Sequence, residues 1–267
     1  MSRSLYVFGT GHALVTRCYN ACFGVEEDGA FLLLDAGGGS GILAALEAMS
    51  VPWTALRGLF LSHAHTDHIL GGVWVVRAVG HAVCAGTYQG DFPVYAHPGL
   101  LRDLGMICRA VLPPKLSALL DGGPIRLVPV ADGEERETPF GRMAFFDTGC
   151  RSVRQFGCVL RNADLVYLGD EPIRPAAAPY VRGRGWLITE AMCLDEEREI
   201  HRPYEAFHST VKDACRGAQA LGVRRLVLSH TEDTHLPDRK ALYTREGLRY
   251  FQGPLFVPDD REIIPLA

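Results

Sequence analysis

His63-Ala64-His65-Thr66-Asp67-His68 follows directly on the apolar run Gly58-Leu59-Phe60-Leu61-Ser62. A buried strand that ends in three imidazoles and a carboxylate makes little sense as core packing, because such groups are costly to bury unless something ties them up. Imidazole and carboxylate together suit zinc, iron or manganese. Four side chains so close in sequence are hard to aim at one tetrahedron, so the cluster reads as serving two neighbouring ions. The bland alternative is a solvated, histidine-rich turn. A lone His-x-His would leave that alternative open; four ligand types in one loop after a strand speak against it.

Two later stretches repeat the pattern of an apolar strand delivering a ligand. Asp164-Leu165-Val166-Tyr167-Leu168-Gly169-Asp170 reads as a short strand ending in Gly-Asp, and the glycine frees the backbone at the strand end. Alone, Asp170 would be an ordinary turn aspartate. Arg225-Leu226-Val227-Leu228-Ser229-His230 places a histidine at a strand's carboxyl end, where sites gather in α/β sheets. His235 reads as a solvated loop histidine and His97 as a turn or capping residue.

The hexapeptide resembles the His-x-His-x-Asp-His signature of the metallo-β-lactamase superfamily. That resemblance implies a four-layer αββα sandwich of mixed α/β type, with two divalent metal ions at one edge. The ions would be zinc, with manganese or iron as alternatives. It implies further that His63 and His65 bind the first ion, that Asp67 and His68 bind the second, that Asp170 bridges both, and that His230 completes the second. Asp35, in Asp35-Ala36-Gly37, would orient the cluster by hydrogen bonding. The family's third histidine for the first ion is missing. Its slot falls at or next to Gly149 and Cys150, within Ala144–Arg151. Three outcomes stay open: Cys150 replaces it as a thiolate, Asp147 swings in, or water completes a weaker site.

The layout of Phe207-His208-Ser209-Thr210, a helix and then the His230 strand is similar to ribonuclease Z and its phosphodiesterase relatives. So are Leu187-Ile188-Thr189-Glu190-Ala191, Phe8-Gly9-Thr10-Gly11 and Asn20. The resemblance implies that His208 serves the oxygen leaving phosphorus, helped by Glu190. His208, Glu190 and Asp67 are the catalytic candidates. The implied reaction is hydrolysis of a phosphodiester by water held between the two ions. Only twenty residues separate Cys150 from Asp170, which leaves no room for the protruding tRNA-binding arm of ribonuclease Z. With a formal net charge of −4 and no basic stripe, the expected substrate is a small anionic phosphodiester, and no long nucleic acid is expected. Rival readings are an ester, thioester or lactone hydrolase, a diiron oxidoreductase, and a non-catalytic relative with an impaired first site.

The 267 residues carry no linker-like stretch, so one domain over residues 1–267 is expected, and 48% hydrophobic content supports a large core. No apolar run approaches a membrane span. Met1-Ser2-Arg3-Ser4-Leu5 enters a strand with no signal peptide, and eight scattered cysteines read as reduced thiols. The expected setting is cytoplasmic, with a homodimer possible. Strands are predicted at Leu5–Gly9, Ala21–Glu26, Ala30–Leu34, Pro93–Ala96, Ile125–Val130 and Arg142–Phe146. Helices are predicted at Ile42–Ala48, Ile69–Val79, from Pro98 through Leu104, and Thr210–Leu221. Gly253–Val257 and Glu262–Pro265 read as a final strand pair.

Overall fold

The computed structural model describes residues 3–266. The chain forms two compact units, one of Met1–Gly9, Tyr19–Ala131 and Arg261–Ala267, the other of Thr10–Cys18 and Asp132–Asp260. Each is discontinuous in sequence, which is why no linker composition marks the division. Each holds one mixed seven-stranded sheet with helices.

In the first unit β1 (Arg3–Gly9), β2 (Cys22–Glu27) and β3 (Ala30–Leu34) form an antiparallel meander. Asp28 and Gly29 turn the β2–β3 hairpin with φ of 50° and 80°, the pair of positive values that a two-residue turn of this hand needs. From β3 onward the pairing is parallel, through β4 (Leu56–Phe60), β5 (Phe92–Ala96) and β6 (Ile125–Pro129). Parallel neighbours need crossovers. The helices Gly41–Ala48, Thr66–Cys84 and Pro98–Val111 supply them. A short strand, Ile263–Pro265, closes the free edge against β1.

The helix Thr66–Cys84 matters most for function. Ile69, Val73, Val76 and Val79 recur at three- and four-residue spacing and are buried, each contributing about 1.5–3 kcal/mol. The helix starts at Thr66 rather than Ile69, with His65 as N-cap in extended conformation (ψ 151°). Its apolar period begins only at Ile69, so a reading of periodicity misses the first turn, which is built of ligand residues. The helix lies against the loop after β3. Gly71 N donates to Gly37 O at 2.7 Å, and a Cβ at Gly71 would stand 1.8 Å from Ala36 O. The obstacle is backbone, which cannot rotate aside. Gly71→Ala is therefore expected to destabilise the protein by about 3 kcal/mol; an unchanged melting temperature would count against this packing.

The second unit runs β7 (Glu135–Thr138), β8 (Gly141–Asp147), β9 (Phe156–Leu160) and β10 (Leu165–Tyr167) as antiparallel neighbours. Then β10, β11 (Trp186–Glu190), β12 (Arg225–Ser229) and β13 (Leu255–Phe256) run parallel. The helix Val211–Ala220 connects β11 to β12. It starts with a Thr210–Asp213 capping box and buries Val211, Ala214, Cys215 and Ala218.

The expected final strand pair does not form. Leu255–Phe256 joins β12 and Ile263–Pro265 joins β1, so the two segments enter different sheets. Two- and three-residue edge strands carry too little pattern to specify a partner. Arg239, fully buried, holds the chain between them. Its guanidinium donates to Pro258 O at 2.7 Å, Thr231 Oγ1 at 2.8 Å and Thr10 Oγ1 at 2.9 Å. All eight cysteines are free, and among the described residues no helix is long and apolar enough to cross a membrane.

Candidate metal centre

In the first unit, β4 runs on through Leu61 and Ser62 to His63, so the cluster sits at the carboxyl end of a central parallel strand. His63 and His68 are fully buried, Asp67 is 4% exposed, and His65 is exposed. The rings of His63 and His65 are 4.5 Å apart, and those of His63 and His68 4.2 Å. His68 Nε2 lies 3.3 Å from Asp67 Oδ2.

Asp35 organises this turn. It follows β3 and has φ of 55°, a left-handed conformation that a short polar side chain tolerates. Its carboxylate accepts from Ser62 N at 2.7 Å and Ser62 Oγ at 2.6 Å, and meets His68 Nδ1 at 2.8 Å. Burial, which alone would raise its pKa, is outweighed by the charge and hydrogen bond of His68, and Asp35 is held below the ordinary carboxylate range. Ser62 Oγ also meets His63 Nδ1 at 2.9 Å. With Nδ1 engaged on both rings, Nε2 becomes the ligating atom, the arrangement usual for metal-binding histidines. The donor set therefore fits divalent metal. Asp35→Asn is expected to weaken zinc binding by about 10- to 100-fold, measured by competition with a chromophoric chelator. Unchanged affinity would show that Asp35 does not orient the cluster.

In the second unit three adjacent parallel strands end in polar residues. β10 leads to Asp170, β11 ends on Glu190, and β12 leads to His230. Asp170 is 6% exposed, His230 1% and Glu190 0%. His230 adopts φ of 53° and places Nε2 3.6 Å from Asp170 Oδ2. The His208 ring lies 4.8 Å from that of His230. His208 Nδ1 is 3.2 Å from the Asp170 backbone oxygen, so Nδ1 carries the hydrogen and donates it.

Glu190 works differently from a direct orienting contact. Its Oε2 is 3.9 Å from His208 Nδ1, beyond hydrogen-bond length. Its Oε1 accepts from Ser209 N at 2.8 Å, so it fastens the backbone next to His208. Burial pushes the Glu190 carboxyl well above its ordinary pKa, against the bonds from Ser209, and the charges of Asp170 and Glu171 add to the rise. Burial lowers His208 to about 4, with His230 adding to the effect and Asp170 opposing it.

The slot of the missing histidine lies in the loop between β8 and β9. Cys150 Sγ is 3.3 Å from Ser152 Oγ, and its thiol also bonds Glu171. Among the described residues it joins no group of three or more metal-ligating side chains. Asp147 accepts from Gly149 N at 2.9 Å and faces Arg154 at 3.6 Å. Two residues escaped the sequence reading. Glu171, 2% exposed, is a second buried acid next to Asp170, paired with Arg174. His12 places its ring 6.1 Å from that of His230. A charged residue straight after Asp170 was the only signal for Glu171; His12 read as part of a turn.

Residues 31–231 match the family model described as a beta-lactamase superfamily domain. The ribonuclease Z of Myxococcus xanthus is 38% identical over 246 residues, which span 76% of this chain and 78% of that protein. The metallo-beta-lactamase fold protein YhfI of Bacillus subtilis superposes with a TM-score of 0.80, at 17% identity, covering 99% of this chain and 100% of its own. The short form of human tRNase Z superposes with a TM-score of 0.71, at 16% identity, covering 99% of each chain. The two mixed sheets are those of this fold.

These relatives correct one expectation. The expectation that no long nucleic acid is a partner is overturned, because a relative 38% identical is a ribonuclease. The physical reason is that a chain-wide charge of −4 averages over the whole surface and does not report the local field a phosphate meets. The short interval filled by β9 and β10 does not decide the matter either. The chain is a member of the metallo-β-lactamase superfamily, related to ribonuclease Z, and a metal-dependent hydrolase.

Proposed function

We propose that the protein is a phosphodiesterase whose substrates include RNA. His63 and His65 with Asp170 would hold the first ion, and Asp67, His68, Asp170 and His230 the second. Water would complete the first ion, since Cys150 joins no ligand group among the described residues. When bound, such ions lower the pKa of water and neutralise phosphoryl charge.

The observation that carries the reading is His208. Its Nδ1 is fixed by the Asp170 carbonyl at 3.2 Å, which leaves Nε2 to serve substrate. An alkoxide leaving phosphorus must be protonated, and His208 Nε2 is the group available to supply that proton. The anionic phosphodiester favours the imidazolium, so Nε2–H donates to the leaving oxygen while Nδ1–H stays on the Asp170 carbonyl. Glu190 keeps His208 in place through Ser209 N.

The test sets bis(p-nitrophenyl) phosphate, a cyclic nucleotide and a tRNA precursor beside p-nitrophenyl acetate and a lactone, all with metal-saturated protein. Turnover of phosphodiesters with little or none of the esters is expected. The reverse ranking would favour an esterase or lactonase.

A further inference from the structure

A second cluster of ligand-type side chains lies in the second unit, and none of its members belongs to the hydrolytic set. Glu197 closes the short turn Asp195–Glu197, and His201 ends the helix Arg198–His201 that follows. Glu232 and His235 lie in the loop after β12. One ligand atom each from Glu197, Glu232 and His235 falls within 4.8 Å of the others. His235 Nε2 is 2.6 Å from Glu197 Oε1, and His201 Nε2 is 3.8 Å from Glu197 Oε2. We propose that Glu197, Glu232 and His235 form a separate site for a zinc-class divalent ion.

The plain alternative is a Glu197–His235 ion pair and nothing more. Two observations go beyond it. Glu232 is 2% exposed, and the donors to its carboxylate are neutral: Tyr243 Oη at 3.3 Å and Thr234 N. A buried carboxylate with neutral donors lacks the counter-charge that such groups normally have. Glu197 Oε2 is also buried with no hydrogen-bond partner. His235 and His201 both face Glu197, at 2.6 Å and 3.8 Å, and among the described residues neither forms an ion pair with Glu232. The surplus of negative charge is felt nearby: the buried Cys193 thiol is pushed up to about 12, first by burial and then by Glu197, Glu190, Glu232 and Glu246. Lys212 and Arg198 both pair with Asp195.

One imidazole and two carboxylates, with water as the fourth donor, make a set that suits zinc. Glu197 and His201 lie on the segment leading to His208, and Glu232 and His235 follow His230. An ion there ties together the two segments that carry these histidines, so its role is structural.

The test counts zinc per chain by plasma mass spectrometry, after saturation and gel filtration. Wild type is compared with Glu197→Gln and His235→Ala, each also made in a His68→Ala background. Glu197→Gln keeps the shape of the side chain and stands in if His235→Ala does not fold, as judged by circular dichroism. One equivalent fewer is expected in each variant, in both backgrounds alike, because the site is independent of the His68 cluster. Equal zinc counts in wild type and variants would overturn the proposal. So would a loss seen with His68 present but absent in the His68→Ala background, since it would trace to the hydrolytic ions.

Discussion

Asp170→Ala is expected to remove metal and turnover together. If Asp170 bridges both ions, its loss takes a donor from each, whereas every other ligand serves one. The fall in metal affinity should exceed about 100-fold, the upper figure for a partner that merely orients a ligand. Turnover should drop to the level of chelator-treated wild type. Asp170 is 6% exposed, at the end of β10, with Gly169 before it at φ of 68°. The aspartate is delivered by a strand end, and the variant should fold. Metal counts and rates measured on the same sample check this. Full metal content in Asp170→Ala would remove it from the ligand set.

His208→Ala is the second large effect and has a different signature. Metal content should hold while the rate falls by about 10²- to 10⁴-fold, the usual worth of a positioned acid. The loss should depend on the leaving group. A p-nitrophenolate departs with little help, whereas a nucleoside alkoxide needs a proton. The fall should therefore be small for bis(p-nitrophenyl) phosphate and large for a ribonucleotide diester. A merely structural role for His208 would lower both rates alike. Glu190→Gln should keep the bond to Ser209 N through its amide oxygen and lose less than His208→Ala.

What the sequence made legible follows from how the ligands are delivered. His63, Asp170 and His230 each stand after an apolar strand, and the contrast between a buried run and a sudden polar residue is visible without any partner. The helix predicted over Thr210–Leu221 was likewise readable; it forms as Val211–Ala220 with Thr210 as its N-cap, because caps are local. What failed depended on distant partners. The first turn of the helix Thr66–Cys84 was hidden by its own ligands. The strands Leu255–Phe256 and Ile263–Pro265 were too short to name their neighbours. Arg239 reads as one more charged helix residue, yet it is fully buried and bonded to residues as far away as Thr10. The expectation that no long nucleic acid is a partner failed because net charge and a missing arm were asked to exclude one, which neither can do.

The most direct measurement of the central claim is hydrolysis of bis(p-nitrophenyl) phosphate by the purified protein. It would be followed before chelation, after chelation, and after zinc or manganese is restored. Turnover that disappears with the metal and returns with it is the expected result. No turnover from fully metal-loaded protein, here and with ribonucleotide diesters, would contradict the assignment of this site to phosphodiester hydrolysis.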